Sequence, residues 1–478
     1  MSTDAATQTA DDDAGRASRG MHDWDVLRRA ADHAAEFRAG IEERPVGARW
    51  DVERMREAFT TELNDDPIPA AEVLDELVAT AEPGLVATPG PRFFGFVIGG
   101  SIEASTAADV VAAGWDQCAF NAAQSPAAIG AEQAAAGWLK DLLGIPATAS
   151  VGFVTGAQEA NTVGLASGRH FVLREAGWDV ERDGLQGAPR VRIVASEERH
   201  ATVDRSLRLL GFGTTAIEEV RAGPNGAIDV SDLEHVLAAG GDGPAIVCLQ
   251  AGNVNTGACD DVAAACEVAH RRGAWVHLDG AFGLWAAASP STRQLLEGVE
   301  LADSWGCDGH KWLNVPYDSA YAFCSRPDVH AAAVSYTAAY LTGSGVGDAA
   351  GGDLTLSSSR RARGFATWAA LRQLGRSGVA DLVERCCALA RRFADGLAAG
   401  GLDVVNEVVL NQVLIAVGDE PTTEQVVARI QQEGTCWLGG TTWRGRRLLR
   451  VSVSNWSTTE DDVDRSVEAV LEAVAAVS

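Results

Sequence analysis

Lysine is almost missing from this chain: among 478 residues only Lys140 and Lys311 occur, and arginine carries most of the positive charge. Any chemistry that needs a side-chain amine therefore has two candidates. Positive charge as a whole is scarce, with 39 Lys and Arg against 66 Asp and Glu and a formal net charge of −27. Phosphate backbones attract basic surfaces, so nucleic acid is excluded as an expected partner. Apolar runs of roughly 18 residues or more are also lacking, because Asp, Glu, Arg or Gly interrupts even the Ala-rich segments; no membrane span is expected. The nine cysteines, an odd number, show no Cys-x-x-Cys spacing. Neither a disulfide framework nor a zinc site is indicated, and a reducing cytoplasm is the expected compartment.

What is present supports a sizeable core, since 46% of the residues are hydrophobic, enough for two or three structural units. Residues 1–20, MSTDAATQTADDDAGRASRG, are polar and acidic and read as a disordered tail, not a secretory or mitochondrial leader. Over 21–90 the pattern is helical and amphipathic, broken at Pro45, Pro67 and Pro69, as in an N-terminal arm. From Arg92 onward the β-branched runs VGFVT, VRIVAS, AIVCLQ, AWVHLDG and AYAFCS alternate with helical stretches. That alternation predicts an α/β fold with a mainly parallel central sheet covered by helices on both faces, here a large domain over 91–365. Val329 to Asp353 is rich in Gly and small residues and reads as a mobile surface loop. Strand-like alternation in DVVNEVVLNQVLIAV and RLLRVSVSN predicts a small C-terminal α+β domain over 366–478.

Lys140 lies in the helical stretch AAAGWLKDLLGIP beside Asp141, where a solvated ammonium is the ordinary reading. Lys311 lies in ADSWGCDGHKWLNVPYD, between His310 and Trp312. An apolar, aromatic setting disfavours the charged amine and favours the neutral form that attacks an aldehyde. Taken alone, the His-Lys pair leaves a surface or phosphate-binding lysine equally open. About thirty residues upstream, AWVHLDG ends on Asp279, followed by Gly280, Ala281 and Gly283, which presents a carboxylate where open α/β sheets bind ligands. Such a carboxylate can keep a pyridinium nitrogen protonated so that the ring accepts electrons; a helix cap is the alternative. VGFV runs into Thr155, Gly156, Ala157 and Gln158 and then a helix, exposing backbone N–H groups for a phosphate, a weak signal by itself. His200, after VRIVAS, stands at another such edge, able to stack on a planar ring or to start a helix.

The segments PRFFGFVIGG, TGAQEAN, EERHATVDRS, HLDGAFG, DGHKWLN, AAYL and SRRARGFATW follow one another in an order that resembles the group II pyridoxal-phosphate decarboxylases of fold type I, which act on aromatic amino acids, glutamate and histidine. The resemblance runs from about Pro91 to Ser454. It implies pyridoxal 5′-phosphate as cofactor, Lys311 as its Schiff-base lysine and Asp279 as partner of the pyridine nitrogen. It implies that His200 stacks on the ring and helps position the substrate carboxylate, and that Ala281 packs near the ring. Gly156, Ala157 and Gln158 fall where the family binds phosphate, and His310 precedes the lysine as in relatives. Tyr340, one of only four tyrosines, matches the loop tyrosine that returns a proton to the substrate. The family is dimeric, so a homodimer with shared active sites is implied, its N-terminal arm wrapping the other subunit.

Two cofactor-site positions depart from the pattern. Asp308 stands where many members place an Asn near the phosphate, and Asn253 where many have a threonine near the cofactor. Phe96 and Val97 would face the substrate and favour an aromatic or apolar side chain; a core role for the Phe residues stays open, and Arg92 leaves acidic substrates open. The expected activity is decarboxylation of an L-amino acid to an amine and CO₂. Transamination, aldol cleavage and decarboxylation-dependent oxidative deamination are alternatives within the fold. A catalytically silent scaffold, suggested only by Asp308 and Asn253, is the alternative from another class.

Overall fold

The computed structural model describes residues 24–241, 243–336 and 351–477. The acidic tail and Tyr340 therefore lie outside the described residues. Two compact units emerge, one built from residues up to Arg44 and Ala48–Val86, the other from Pro45–Gly47 and the chain from Ala87 onward. The first holds helices α1 (Asp25–Ala39), α2 (Val52–Phe59) and α3 (Ala70–Ala81), none of which has a buried residue. Asp51 caps α2 by accepting from the Arg54 N–H at 2.9 Å.

The second unit opens with α4 (Glu103–Trp115) and α5 (Pro126–Leu143) and then enters a seven-stranded sheet. Its strands are β1 (Ser150–Val154), β2 (Arg192–Ser196), β3 (Ile217–Val220), β4 (Ala245–Gln250), β5 (Trp275–Asp279), β6 (Ser304–Asp308) and β7 (Ala320–Cys324), in the spatial order β1-β7-β6-β5-β4-β2-β3. Strands β2 and β4 to β7 are buried at every residue, which is why β4 and β7 read as continuous apolar runs and not as alternating ones. The expected α/β architecture with a mainly parallel sheet is the one observed. Only β7 runs against its neighbours β1 and β6.

Helix α6 (Ala157–Glu175) follows β1, and α7 (Ala201–Leu209) follows β2. A long helical segment, Gly364–Ala399, is broken at Gly375, whose φ of +61° lies where only glycine is comfortable. Beyond it, β8 (Asp403–Val404), β9 (Gln412–Ala416), β10 (Gly439–Trp443) and β11 (Arg446–Ser452) form a second, four-stranded antiparallel sheet in the order β10-β11-β9-β8.

Candidate active site

Since β1, β2, β4, β5 and β6 all point the same way, their carboxyl ends share one edge of the sheet. Gly156, His200, Asn253, Asp279 and Asp308 each end one of these strands or follow it, so the topology gathers them. Asp279 is 5% exposed. Its Oδ2 accepts from Asn161 Nδ2 at 2.9 Å and from the Thr202 hydroxyl at 3.5 Å, and its Oδ1 accepts from the Ala281 N–H at 3.2 Å. His200 is the N-cap of α7, with Nδ1 accepting from the Thr202 N–H at 3.3 Å and lying 2.9 Å from the Thr202 hydroxyl. Burial lowers the pKa of its imidazole, with the Asp279 charge pulling the other way and Lys311 and Arg450 adding to the depression. Helix-start residue and ring-stacking candidate are thus compatible roles for His200.

The other end of the site is built around Asp308, buried at the end of β6. Its Oδ1 accepts from the N–H of Ala157, the first residue of α6, at 2.6 Å, and its Oδ2 lies 2.9 Å from Lys311 Nζ. His310 Nε2 stands 3.5 Å from the same Oδ1. The other nitrogen of that ring, Nδ1, accepts from the Ser319 N–H at 3.2 Å, which assigns the hydrogen of the neutral ring to Nε2. The ring stacks on Tyr317 with centroids 4.3 Å apart, and burial lowers its pKa. A helix N-terminus, an imidazole N–H and an ammonium therefore converge on one anionic oxygen pair.

The backbone of Lys311 is held as tightly as its amine. A Cβ on Gly99 would fall 1.7 Å from the Lys311 carbonyl oxygen, so the 99–100 segment lies directly on that peptide. Asn314, fully buried with φ +57°, donates through Nδ2 to the carbonyls of Trp312 and Ser454, both at 3.0 Å, and of Lys311 at 3.3 Å, while its Oδ1 accepts from the Trp456 N–H at 2.9 Å.

Other expected residues sit nearby with their side chains committed elsewhere. Gln158 Nε2 donates to the Ser206 hydroxyl at 2.8 Å and the Thr202 carbonyl at 3.2 Å, leaving its backbone as the part that borders the turn. Asn253 accepts through Oδ1 from the N–H groups of Asn255 (2.9 Å) and Thr256 (3.3 Å) and donates to the Glu198 carbonyl at 3.2 Å, so it organises its own loop. Phe96 and Val97, both at positive φ, diverge: Phe96 is 64% exposed and tilts against Trp437, whereas Val97 is 1% exposed within the main core. Two readings need correction. Arg92, left open in the sequence to an acidic substrate, is buried in an ion pair with Asp462 at 2.9 Å and is no candidate for a substrate carboxylate; a partner so far along the chain leaves no local signal. Lys140 is not a freely solvated ammonium; its Nζ donates to the Ala147 and Ala149 carbonyls at 2.6 and 3.0 Å, and burial lowers its pKa.

Comparison with known proteins gives this geometry a family. Residues 53–417 match the model of the pyridoxal-dependent decarboxylase conserved domain. The chain belongs to the pyridoxal-dependent decarboxylases. It is 27% identical to tryptophan decarboxylase 1 of Oryza sativa subsp. japonica over 93% of this chain and 92% of the relative. It is 25% identical to phenylacetaldehyde synthase of a Rosa hybrid cultivar over 75% of this chain and 72% of that one. The crystal structure of Oryza sativa TDC with PLP and tryptamine superposes with a TM-score of 0.88 at 24% identity, covering 95% of this chain and 97% of that one.

Pyridoxal phosphate is accordingly the cofactor of this decarboxylase, and amino-acid decarboxylation its reaction. The residues present fit the group at both ends: an acidic oxygen pair stands at the end of β5, and an N–H at the start of α6, that of Ala157, already holds an anion. The anion held by the Ala157 N–H is the Asp308 carboxylate of the chain itself, so a phosphate bound at the start of α6 would meet that charge. Asp308→Asn is expected to tighten pyridoxal-phosphate binding by about 10-fold, roughly 1.4 kcal/mol for one charge removed beside the phosphate. Titration of cofactor-free protein measures it; unchanged binding would show that Asp308 does not oppose the phosphate, and weaker binding that it assists.

Proposed function

We propose that this decarboxylase acts on an aromatic L-amino acid, with Lys311 as the covalent attachment point of the cofactor and Asp279 as the partner of its ring nitrogen. The observation that carries the reading is the placement of Asp279 and Asp308 at the ends of adjacent strands, with Lys311, His310 and the Ala157 N–H grouped on the second. When bound, pyridoxal phosphate supplies an electron sink for the pair released as the Cα–carboxylate bond breaks. Asp279 holds a proton at the ring nitrogen. His200, its pKa lowered by burial, would lie beside the ring and orient the substrate carboxylate, which selects the bond that breaks. Ala281 leaves room for the ring, and Gly156, Ala157, Gln158 and His310 supply the phosphate site. Tyr340 returns the proton that replaces CO₂ at Cα.

Aromatic specificity is supported by the tryptophan decarboxylase relative and by exposed Phe96 beside Trp437. A second reading, an acidic substrate, is favoured by Arg450, a half-buried guanidinium that donates to the Val254 carbonyl at 3.2 Å and has no ion pair among the described residues. The reconstituted enzyme offered all proteinogenic amino acids plus aromatic and acidic relatives, with CO₂, amine and aldehyde measured, separates these readings. The expected outcome is CO₂ and amine in equal amounts from an aromatic substrate; release only from an acidic one would contradict it. In the same assay Tyr340→Phe is expected to cut amine formation by about 10²-fold or more, with aldehyde rising where amine falls; amine output unchanged from the parent would remove Tyr340 from proton return.

A cytoplasmic homodimer completes the proposal. Helices α1 to α3 have no buried residue while Val52, Phe59, Val73 and Leu77 stay exposed, and Trp115 and Trp368 are exposed on the second unit. Sedimentation at the mass of one chain would contradict it. None of the described helices is long and apolar enough to cross a membrane, and the nine cysteines are free.

A further inference from the structure

The polar groups behind Asp279 form a chain of hydrogen bonds whose direction is set at its far end. Trp275, His277 and Asp279 lie two apart along β5 and therefore point to the same side of the sheet. An indole N–H can only donate, and Trp275 Nε1 donates to the Ser304 hydroxyl oxygen at 3.0 Å. The proton of Ser304 is then free for His277 Nδ1 at 2.9 Å, closer than the Gly164 carbonyl at 3.5 Å. With Nδ1 accepting, the neutral imidazole carries its hydrogen on Nε2, which faces Asn161 Oδ1 at 3.1 Å. That fixes the amide. Its oxygen turns to His277 and its Nδ2 donates to Asp279 Oδ2 at 2.9 Å and to the Thr202 hydroxyl at 3.1 Å.

Ser304, His277 and Asn161 are all 0% exposed, shut off from bulk water. The space around the chain is reserved by absent side chains: a Cβ on Gly164 would come within 2.5 Å of the His277 ring, and one on Gly306 within 2.6 Å of Asn161 Oδ1. An inverted Asn161 amide would set two acceptors face to face at Asp279, with no proton between them. In a dry site an unsatisfied pair of that kind is disfavoured strongly enough to move the carboxylate.

We propose that Trp275, Ser304, His277 and Asn161 are positioning residues for Asp279, a one-way relay that delivers an amide donor to its Oδ2 and so aims the carboxylate at the cofactor's ring nitrogen. This deepens the reading of Asp279 given above and rests on it. Burial holds His277 neutral, its pKa pushed down to about 4 although the Asp279 charge acts in the opposite sense. The other ionisable groups that feel Asp279 are His200 from the start of α7, Cys248 on β4 and Cys307 on β6. Burial raises both thiols, Cys248 to about 12 and Cys307 well above its ordinary value, so neither ionises near neutral pH.

The test uses the full chain with ¹⁵N-labelled histidine, read with and without pyridoxal phosphate, the His277 signals being those lost in His277→Gln. The relay requires a protonated Nε2 and a bare Nδ1 in both forms, unchanged across roughly pH 6 to 8; the opposite tautomer or an imidazolium overturns it. A second arm titrates cofactor into His277→Phe and His277→Gln. Phe, which keeps the ring but no hydrogen bond, is expected to weaken cofactor binding about 10-fold, the usual scale for a supporting partner, and to shift the pH titration of the bound cofactor's visible absorbance. Gln, which keeps a donor toward Asn161, is expected to restore most of both. Parental behaviour in His277→Phe overturns the positioning role. Failure of the underlying reading looks different: Asp279→Asn would then keep the parental absorbance titration while the His277 tautomer stayed as described.

Discussion

Lys311→Ala is expected to lower decarboxylation by about 10⁵-fold, because the only amine at the site is lost and an amine from solution cannot match the effective concentration of one held in place. The structure sharpens the expectation by removing the competitor: Lys140, the chain's other lysine, spends its Nζ on the Ala147 and Ala149 carbonyls. Lys140→Arg should therefore leave the rate unchanged. Lys311→Arg is a stricter variant, since it keeps a cation beside Asp308 yet cannot supply a primary amine. It is expected to fail as completely as alanine. Stopped CO₂ release in both Lys311 variants, with folding verified by circular dichroism, is the supporting result; substantial activity in Lys311→Arg would reduce the lysine to an electrostatic role.

Asp279→Asn carries the second large effect. The amide is close in shape to the carboxylate and retains an oxygen for the Ala281 N–H, yet it lacks the charge that holds a proton at the ring nitrogen. A loss of about 10²- to 10³-fold in kcat is expected, with a loss of thermal stability confined to the side where the new amide nitrogen meets the Asn161 Nδ2 donor. Asp279→Ala should lose as much rate and more stability, because the Ala281 N–H would lose its acceptor and the Asn161 amide the closer of its two in a buried site; such losses run to about 1–3 kcal/mol per group. Equal rate losses in the two variants, with the deeper fall in the melt for alanine, would assign the rate to the charge and not to the packing. Equal rates in parent and Asp279→Asn would contradict the assignment.

Much of this was legible in the sequence because strand ends are legible. A run such as AWVHLDG announces a buried strand and ends on a carboxylate, so the sequence alone places Asp279 at the binding edge. The reversal of β7 was not announced, although its reason is simple: residues 309–319 between β6 and β7 hold no helix, and a parallel return needs a crossover that short connection cannot provide. Strand β10 escaped because its Gly439 and Gly440 look like a turn. Side-chain commitments were the least legible. Arg92 and Asp462 are 370 positions apart, and nothing local told that Gln158 turns to Ser206. His277 offered the best unused signal, a histidine two residues before Asp279 and thus on its side of the strand.

Reduction of the holoenzyme with borohydride, followed by peptide mapping, tests the central claim most directly, since it converts a Schiff base into a stable bond and the chain has only two lysines to carry it. The account predicts the pyridoxyl label on the peptide containing Lys311 and on no other; a label on Lys140, or none in protein shown to bind the cofactor, would contradict it.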